Sequence, residues 1–205
     1  MFADPEVWQS LLNTFKYAII EVPFSIAIAL ILAVFLNRKM HGRTIYRAIF
    51  FLPMVVAPAA VAMVWRWLYN SQFGLLNHIL GAKIEWISNP KIAWISVAII
   101  GVWSIIGYNM VLFLAGLQEI PKDYYEAADI DGASTWTTYW KVVFPMMMPM
   151  HATVAILTAL GTWNDVMTPL VIMSGTGQNT LPLAQLNFQT QFGTNYNLAF
   201  ASYIL

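Results

Sequence analysis

The chain of 205 residues contains no cysteine and few charged residues. The absence of cysteine excludes a disulfide framework, thiol catalysis and cysteine-based metal sites. Charged residues make up 10% of the chain, whereas soluble domains carry about 25%, so the composition argues against a water-soluble protein. The formal net charge is zero, which leaves no electrostatic basis for binding nucleic acid.

The sequence also lacks the patterns that support metal binding or phosphate binding. His41, His78 and His151 are scattered and share no short ligand spacing, so we expect no metal site. Gly74 and Gly81 are isolated, and no glycine-rich phosphate loop is present. We therefore expect no catalytic residue in the chain, and we do not expect the chain to hydrolyse ATP itself.

Hydrophobic residues make up 59% of the chain and occur in long blocks. A membrane-spanning helix needs about 20 mostly apolar residues. The blocks that predict spans are 15–36, 48–68, 92–117 and 146–170, followed by the start of another span at 195–205. Because the last block is too short to cross a bilayer, we expect most of that span to be missing from the sequence.

The loops between the blocks predict the orientation in the membrane. The loop at 37–47 contains four basic residues and no acidic one, namely Arg38, Lys39, Arg43 and Arg47, whereas the segment 173–194 contains no charge. Loops rich in Lys and Arg remain in the cytoplasm. The loop 37–47 is therefore predicted to be cytoplasmic, and the loop 118–145, two spans later, lies on the same side.

The loop 118–145 contains an acidic segment, IPKDYYEAADIDG, which predicts a short helix that ends at a left-handed Gly132. Ser134 can then cap a second helix, in which Trp136, Trp140 and Val143 form one apolar stripe. The acidity and the span on each side argue against a DNA-binding helix-turn-helix. On the residues alone, a solvated amphipathic loop and a docking element for a partner are equally open.

The same loop resembles a known motif. EAADIDG is followed after nine residues by VVFP, and this arrangement resembles the EAA loop of ABC importer permeases. The matching residues are Glu126, Ala127, Ala128 and Gly132, and Val142, Phe144 and Pro145 fill the last part of the pattern. The stretches RTIYRAIFFLPMVVAPAAVAMVWRWLYNSQFGLLN and WNDVMTPLVIM are similar to the maltose and glycerol-3-phosphate group of carbohydrate permeases.

This resemblance implies an all-α polytopic membrane protein with the transmembrane-domain fold of type I ABC importers, lacking its first span and most of its last. Residues 1–205 would form a single transmembrane permease domain. Its location would be the bacterial or archaeal cytoplasmic (inner) membrane, which it would cross several times. Its function would be the import of a sugar or sugar-like solute by alternating access.

The resemblance also implies the partners. The loop 118–145 would couple the permease to a dimer of ATP-binding cassette subunits, through Glu126, Ala127, Ala128, Asp129, Gly132 and Pro145. ATP and Mg²⁺ would be bound by that partner, and no cofactor is expected in this chain. Further expected partners are a second permease subunit, usually a paralogue, an extracytoplasmic solute-binding protein and membrane lipid.

Polar residues inside the predicted spans are candidates for the substrate path, because an unpaired polar group in lipid is costly. They are Tyr108, Asn109, Thr158, Thr162, Asn164 and Asp165. The alternative is hydrogen bonding between helices, which we favour for the two threonines and leave equally open for Asn109 and Asp165. For Glu21, near the outer boundary, we favour a local role over contact with substrate.

Two other classes of protein fit less well. A stand-alone secondary transporter would need ion-coupling carboxylates deep in its spans, and few are present. A membrane-embedded enzyme would need a paired nucleophile and base or a set of metal ligands, and the sequence offers neither. An importer subunit should instead co-purify with an ATPase.

Overall fold

The computed structural model describes residues 5–38, 40–173 and 179–190, and these residues form helices joined by short connections. The predicted all-α fold class is confirmed for this part of the chain. The helices are α1 (Pro5–Asn37), α2 (Arg43–Val55), α3 (Pro58–Leu68), α4 (Leu75–Leu80), α5 (Ala93–Glu119), α6 (Lys122–Ile130), α7 (Thr135–Thr138), a π-helix (Tyr139–Val143), α8 (Phe144–Met146), α9 (Met148–Trp163), α10 (Met167–Met173) and α11 (Leu181–Thr190).

Two of these helices are long and apolar enough to cross a membrane individually, over Val7–Asn37 and Ala93–Glu119. Two bent pairs also have the required length and composition when each is taken as one span: α2 with α3, and Thr135–Met146 with α9. The described residues therefore offer two membrane-spanning helices, or up to four if each pair is one broken span. The predicted start of a span at 195–205 lies outside the described residues.

The block 48–68 is not one kinked helix. Its two helices, α2 and α3, are bent by 97° at the break between them. Pro58 is the first residue of α3, where a missing N–H removes no intrahelical hydrogen bond. The proline therefore begins a new helix, while Pro53 remains inside α2.

The block 146–170 is also interrupted. Helix α9 ends at Trp163 and α10 begins at Met167. In between, an oxygen of the Asp165 side chain accepts a hydrogen bond of 3.2 Å from the backbone N–H of Thr168. This bond satisfies one of the N–H groups that the first turn of a helix leaves unpaired, so Asp165 caps α10 rather than lying within one continuous helix.

The chain forms two compact units. The described residues of the first are 5–21, Val56–Val102, 160–173 and 179–190. Its buried core includes Tyr17, Ala62 and Ile172, and in it α3 packs against α10.

The second unit consists of Val22–Val55 and Trp103–Ala159. Its buried core includes Ala33, Met110 and Phe113. Gly107 of α5 lies directly against the backbone of Phe50 in α2, and a Cβ atom at this glycine would overlap the Phe50 carbonyl oxygen. This close contact holds the α2 backbone against α5 within the second unit.

Candidate functional site

Helix α6 carries the acidic motif and ends as the sequence predicts. Gly132 has φ of +70°, in the left-handed region. Its N–H donates to the Asp129 carbonyl oxygen at 3.1 Å, and the N–H of Ala133 donates to the Ala128 carbonyl oxygen at 2.9 Å. These bonds satisfy carbonyl groups at the helix end. The predicted glycine stop is therefore confirmed, and it fixes the direction in which the chain leaves α6.

The two alanines of the motif have different environments. Ala128 is 7% exposed, and Tyr125 packs on the core of the second unit, so this face of α6 is anchored to the protein itself. Burial raises the pKa of the Tyr125 phenol, which therefore stays neutral at physiological pH. Ala127 and Glu126 are exposed. Ala128 therefore packs within the protein, and Ala127 is the alanine of the motif that lies at the surface.

Ser134 caps the second helix of the loop, as predicted. Its hydroxyl oxygen accepts a hydrogen bond of 3.3 Å from the backbone N–H of Thr137. The predicted stripe is present in part, since the rings of Trp136 and Trp140 contact each other with centroids 5.7 Å apart. The backbone then passes into a π-helix at Tyr139–Val143, where side-chain spacing changes. Val143 is buried, whereas Trp136 is 72% exposed.

The surface of this loop combines carboxylates with exposed apolar side chains. Tyr124 is 49% exposed, Ile130 86% and Trp136 72%, while Asp129 on the same helix as Ile130 is exposed as well. Pro145, the last residue of the motif, is exposed in α8. Large apolar side chains exposed among charges are typical of a surface that a partner covers.

Two of the candidate substrate residues meet in the second unit. The side-chain nitrogen of Asn109 lies 2.9 Å from the hydroxyl oxygen of Thr158, to which it donates a hydrogen bond. Asn109 is fully buried and Thr158 is 3% exposed, while the Asn109 side-chain oxygen has no partner among the described residues. Tyr108, the third candidate in this unit, is half-buried.

The other three candidates belong to the first unit. Asp165 is half-buried and accepts a 3.1 Å hydrogen bond from the hydroxyl of Tyr17. Thr162 is 4% exposed and is hydrogen-bonded to Glu21. Asn164 is exposed and donates to the carbonyl oxygen of Leu160 at 2.8 Å. Bonding between helices, which the sequence left open, is therefore present at Asp165, and contact with a solute remains a prediction.

Two residues of this cluster were not foreseen as a pair. Tyr17 and Glu21 are four positions apart on α1, which places them on one helix face. The spacing was visible in the sequence, but their partner Asp165 is separated by 148 positions from Tyr17. Only the folded chain brings the two segments together.

Comparisons with known proteins agree with this architecture. Residues 25–205 match the family described as "Binding-protein-dependent transport system inner membrane component". The chain is 33% identical over 208 residues to the probable ABC transporter permease protein YesP of Bacillus subtilis, covering 97% of this chain and 66% of that protein. It is 34% identical over 169 residues to the lactose transport system permease protein LacF of Rhizobium radiobacter, covering 79% of this chain and 56% of that protein.

Among solved structures, a bacterial ABC transporter involved in the import of the acidic polysaccharide alginate has a chain with the same fold. The TM-score is 0.88 at 19% sequence identity, over 99% of this chain and 74% of that chain. This likeness confirms the predicted fold class. The chain spans about half to two thirds of the length of the curated relatives that it matches, between 51% and 66% for the first two.

Proposed function

Because the chain belongs to the family of binding-protein-dependent transport system inner membrane components, we propose that it is a transmembrane permease subunit of an ATP-driven importer for a sugar or sugar-like solute. The subunit crosses the cytoplasmic membrane several times and works by alternating access. It holds no cofactor of its own. A solute-binding protein delivers the solute, and a second permease subunit completes the pathway.

The observation that carries this proposal is the two-sided character of α6. One side is anchored through Tyr125 and Ala128, so a force applied to the helix is transmitted to the core of the second unit. The other side presents Glu126 and Asp129 to the solvent. A solvated loop would need neither the buried anchor nor the fixed stop at Gly132.

We assign the opposite side of this contact to a dimer of ATP-binding cassette subunits, which binds ATP and Mg²⁺ and carries out hydrolysis. Glu126 makes a charge-assisted hydrogen bond to a cation of that partner, and exposed Ala127 leaves room for close approach. Asp129 adds a second negative charge one turn along the helix. Gly132 and Pro145 fix the two ends of the segment that moves with the partner.

The relatives and the polar groups of the spans support the proposed solute class. The relatives include a lactose transport system permease protein. Sugar hydroxyl groups need hydrogen-bond donors and acceptors, which the amide of Asn164 and the carboxylate of Asp165 offer in the first unit. Tyr108, Asn109 and Thr158 are the candidates in the second unit, and Thr162 is a further candidate in the first unit.

The apolar surface of the long helices supports the membrane location. On α1 the exposed side chains include Phe24 at 58%, Ile31 at 68% and Phe35 at 56%. Exposed apolar side chains of this size along a helix long enough to span the bilayer are suited to contact with lipid tails. Membrane lipid is therefore one of the proposed partners.

Reconstitution of the intact permease with the proteins that co-purify with it tests this function. We expect an ATPase among those proteins, and we expect ATP-dependent uptake of a labelled disaccharide such as lactose or maltose when the solute-binding protein is present. Omission of ATP provides the control. Uptake that needs no ATP and follows an ion gradient would instead identify a secondary transporter.

A further inference from the structure

Two carboxyl groups share one tyrosine hydroxyl in the first unit. Tyr17 donates a 3.1 Å hydrogen bond to an oxygen of Asp165, and Glu21 is hydrogen-bonded to Tyr17 and Thr162. Gly101 of α5 closes the cluster, since a Cβ atom there would lie 2.5 Å from the carboxyl carbon of Glu21 and 2.7 Å from the Tyr17 hydroxyl. The α5 backbone therefore packs directly on these groups.

The number of hydrogens limits what this arrangement can be. A phenol carries one hydrogen to donate and can accept a hydrogen bond as well. Tyr17 therefore has one hydrogen for two carboxyl groups. Both hydrogen bonds can form at the same time only if one of the two carboxyl groups is a neutral acid that supplies its own hydrogen.

Burial identifies Glu21 as the neutral acid. Glu21 is 5% exposed, and its Oε2 atom has no hydrogen-bond partner among the described residues. Asp165 is half-buried and accepts two bonds, from the Tyr17 hydroxyl and the Thr168 N–H. A buried carboxylate oxygen without a donor is far more costly than the carbonyl oxygen of a neutral acid. The negative charge therefore belongs on Asp165.

We propose that Glu21, Tyr17 and Asp165 form a proton-binding site, in which one proton resides on Glu21 and the two carboxyl groups together carry a single negative charge. The groups facing Glu21 are Tyr17 on its own helix, Asp165 and Thr162, and Gly101 of α5 contributes no side chain. The alternative is a pair of ionised carboxylates that share the tyrosine hydrogen. That arrangement would place two negative charges beside one another where water is scarce.

Infrared spectroscopy of the intact permease in lipid bilayers tests this site directly, because a protonated carboxyl group has its own C=O stretching band. We expect Glu21→Gln to remove such a band from the wild-type spectrum. The exposed Glu119 gives a matched control, and Glu119→Gln should leave the band in place. Tyr17→Phe, which keeps the ring and removes the acceptor, should shift the band without abolishing it.

Proton linkage gives a second readout. A glutamic acid side chain in the unfolded chain has a pKa of about 4.3 and has lost its proton at neutral pH. If the folded permease still holds that proton there, its stability must fall as the pH rises. We expect the thermal midpoint of the wild type to fall between about pH 6 and about pH 8, and to fall less in Glu21→Gln. A wild-type spectrum without a protonated carboxyl band, or a band that persists in Glu21→Gln, would overturn the proposal. Neither measurement depends on the transported solute or on an ATPase.

Discussion

The side-chain nitrogen of Asn109 in α5 donates a 2.9 Å hydrogen bond to the hydroxyl of Thr158 in α9, and both residues are buried within the second unit. The two helices are thus joined by a polar contact within a core whose buried residues include Met110 and Val154. Hydrogen bonds between membrane helices contribute on average about 0.6 kcal/mol and at most about 1.7 kcal/mol. This pair is therefore a measurable structural contact as well as a candidate for the substrate path.

A double-mutant cycle of Asn109→Leu and Thr158→Val separates the two roles. We expect each single variant to unfold at a lower temperature, and the double variant to lose less stability than the sum of the two, by about 0.5–1.5 kcal/mol. Thermal unfolding of the reconstituted permease measures this coupling. Strictly additive losses would contradict a contact between the two side chains. Uptake that stays normal in both stable single variants would remove them from the proposed path.

The sequence predicted those features that depend on a few neighbouring residues. The stop of α6 was predictable because Gly132 alone can satisfy the left-handed backbone at low cost. The close contact of Gly107 with the backbone of Phe50 was not predictable, because it joins two distant segments of the chain. The bond of Tyr17 to Asp165 was hidden for the same reason.

The contact of Gly107 with Phe50 predicts a strong effect of one methyl group. Gly107→Ala should destabilise the second unit, because the added Cβ overlaps the Phe50 backbone, and overpacking of this kind costs about 1–3 kcal/mol. Gly161→Ala is the control, since nothing lies within 4 Å of a Cβ at that helical glycine and alanine favours the helix. An unchanged thermal midpoint in Gly107→Ala would contradict the close packing of α2 on α5.

Cysteine labelling tests the predicted orientation, and residues 1–205 contain no native cysteine that would react alongside an introduced one. Asp131 and Ala82 are both exposed. We expect Asp131→Cys to react with an impermeant maleimide only in inside-out vesicles, and Ala82→Cys only in right-side-out vesicles or intact cells. Labelling of position 131 from outside would reverse the orientation and exclude a cytoplasmic contact for α6.

Charge reversal at Glu126 tests the proposed docking surface. Charge-assisted hydrogen bonds contribute about 1.5–3 kcal/mol, so Glu126→Lys should abolish most uptake while the permease still inserts in the membrane. Glu119→Lys makes the same change at an exposed position outside the motif and should retain uptake. The yield of co-purified ATPase measures docking, and labelled-sugar uptake measures transport. Equal uptake in the two variants would mean that Glu126 makes no contact of consequence.

Valine substitutions at two glycines with the same backbone conformation distinguish the effect of backbone strain from a loss of coupling to the partner. Gly132 has φ of +70° and Gly81 has φ of +63°, and a Cβ at either glycine would find nothing within 4 Å. Valine at either position should therefore cost stability only through the left-handed backbone, by about 1–2 kcal/mol. Both valine variants should therefore lose similar stability, which thermal unfolding measures. Gly81 ends α4 and lies far along the chain from the acidic motif, so it serves as the control for coupling.

Uptake measurements should distinguish the two valine variants. Gly132→Val should lose transport, because the strained residue redirects the chain that leaves α6, whereas Gly81→Val should keep it. Gly132→Asn should restore much of the activity, since asparagine tolerates the left-handed region better than other non-glycine residues. If Gly81→Val lost uptake to the same degree as Gly132→Val, reduced stability alone would account for both defects, and the bend at Gly132 would have no separate role in coupling.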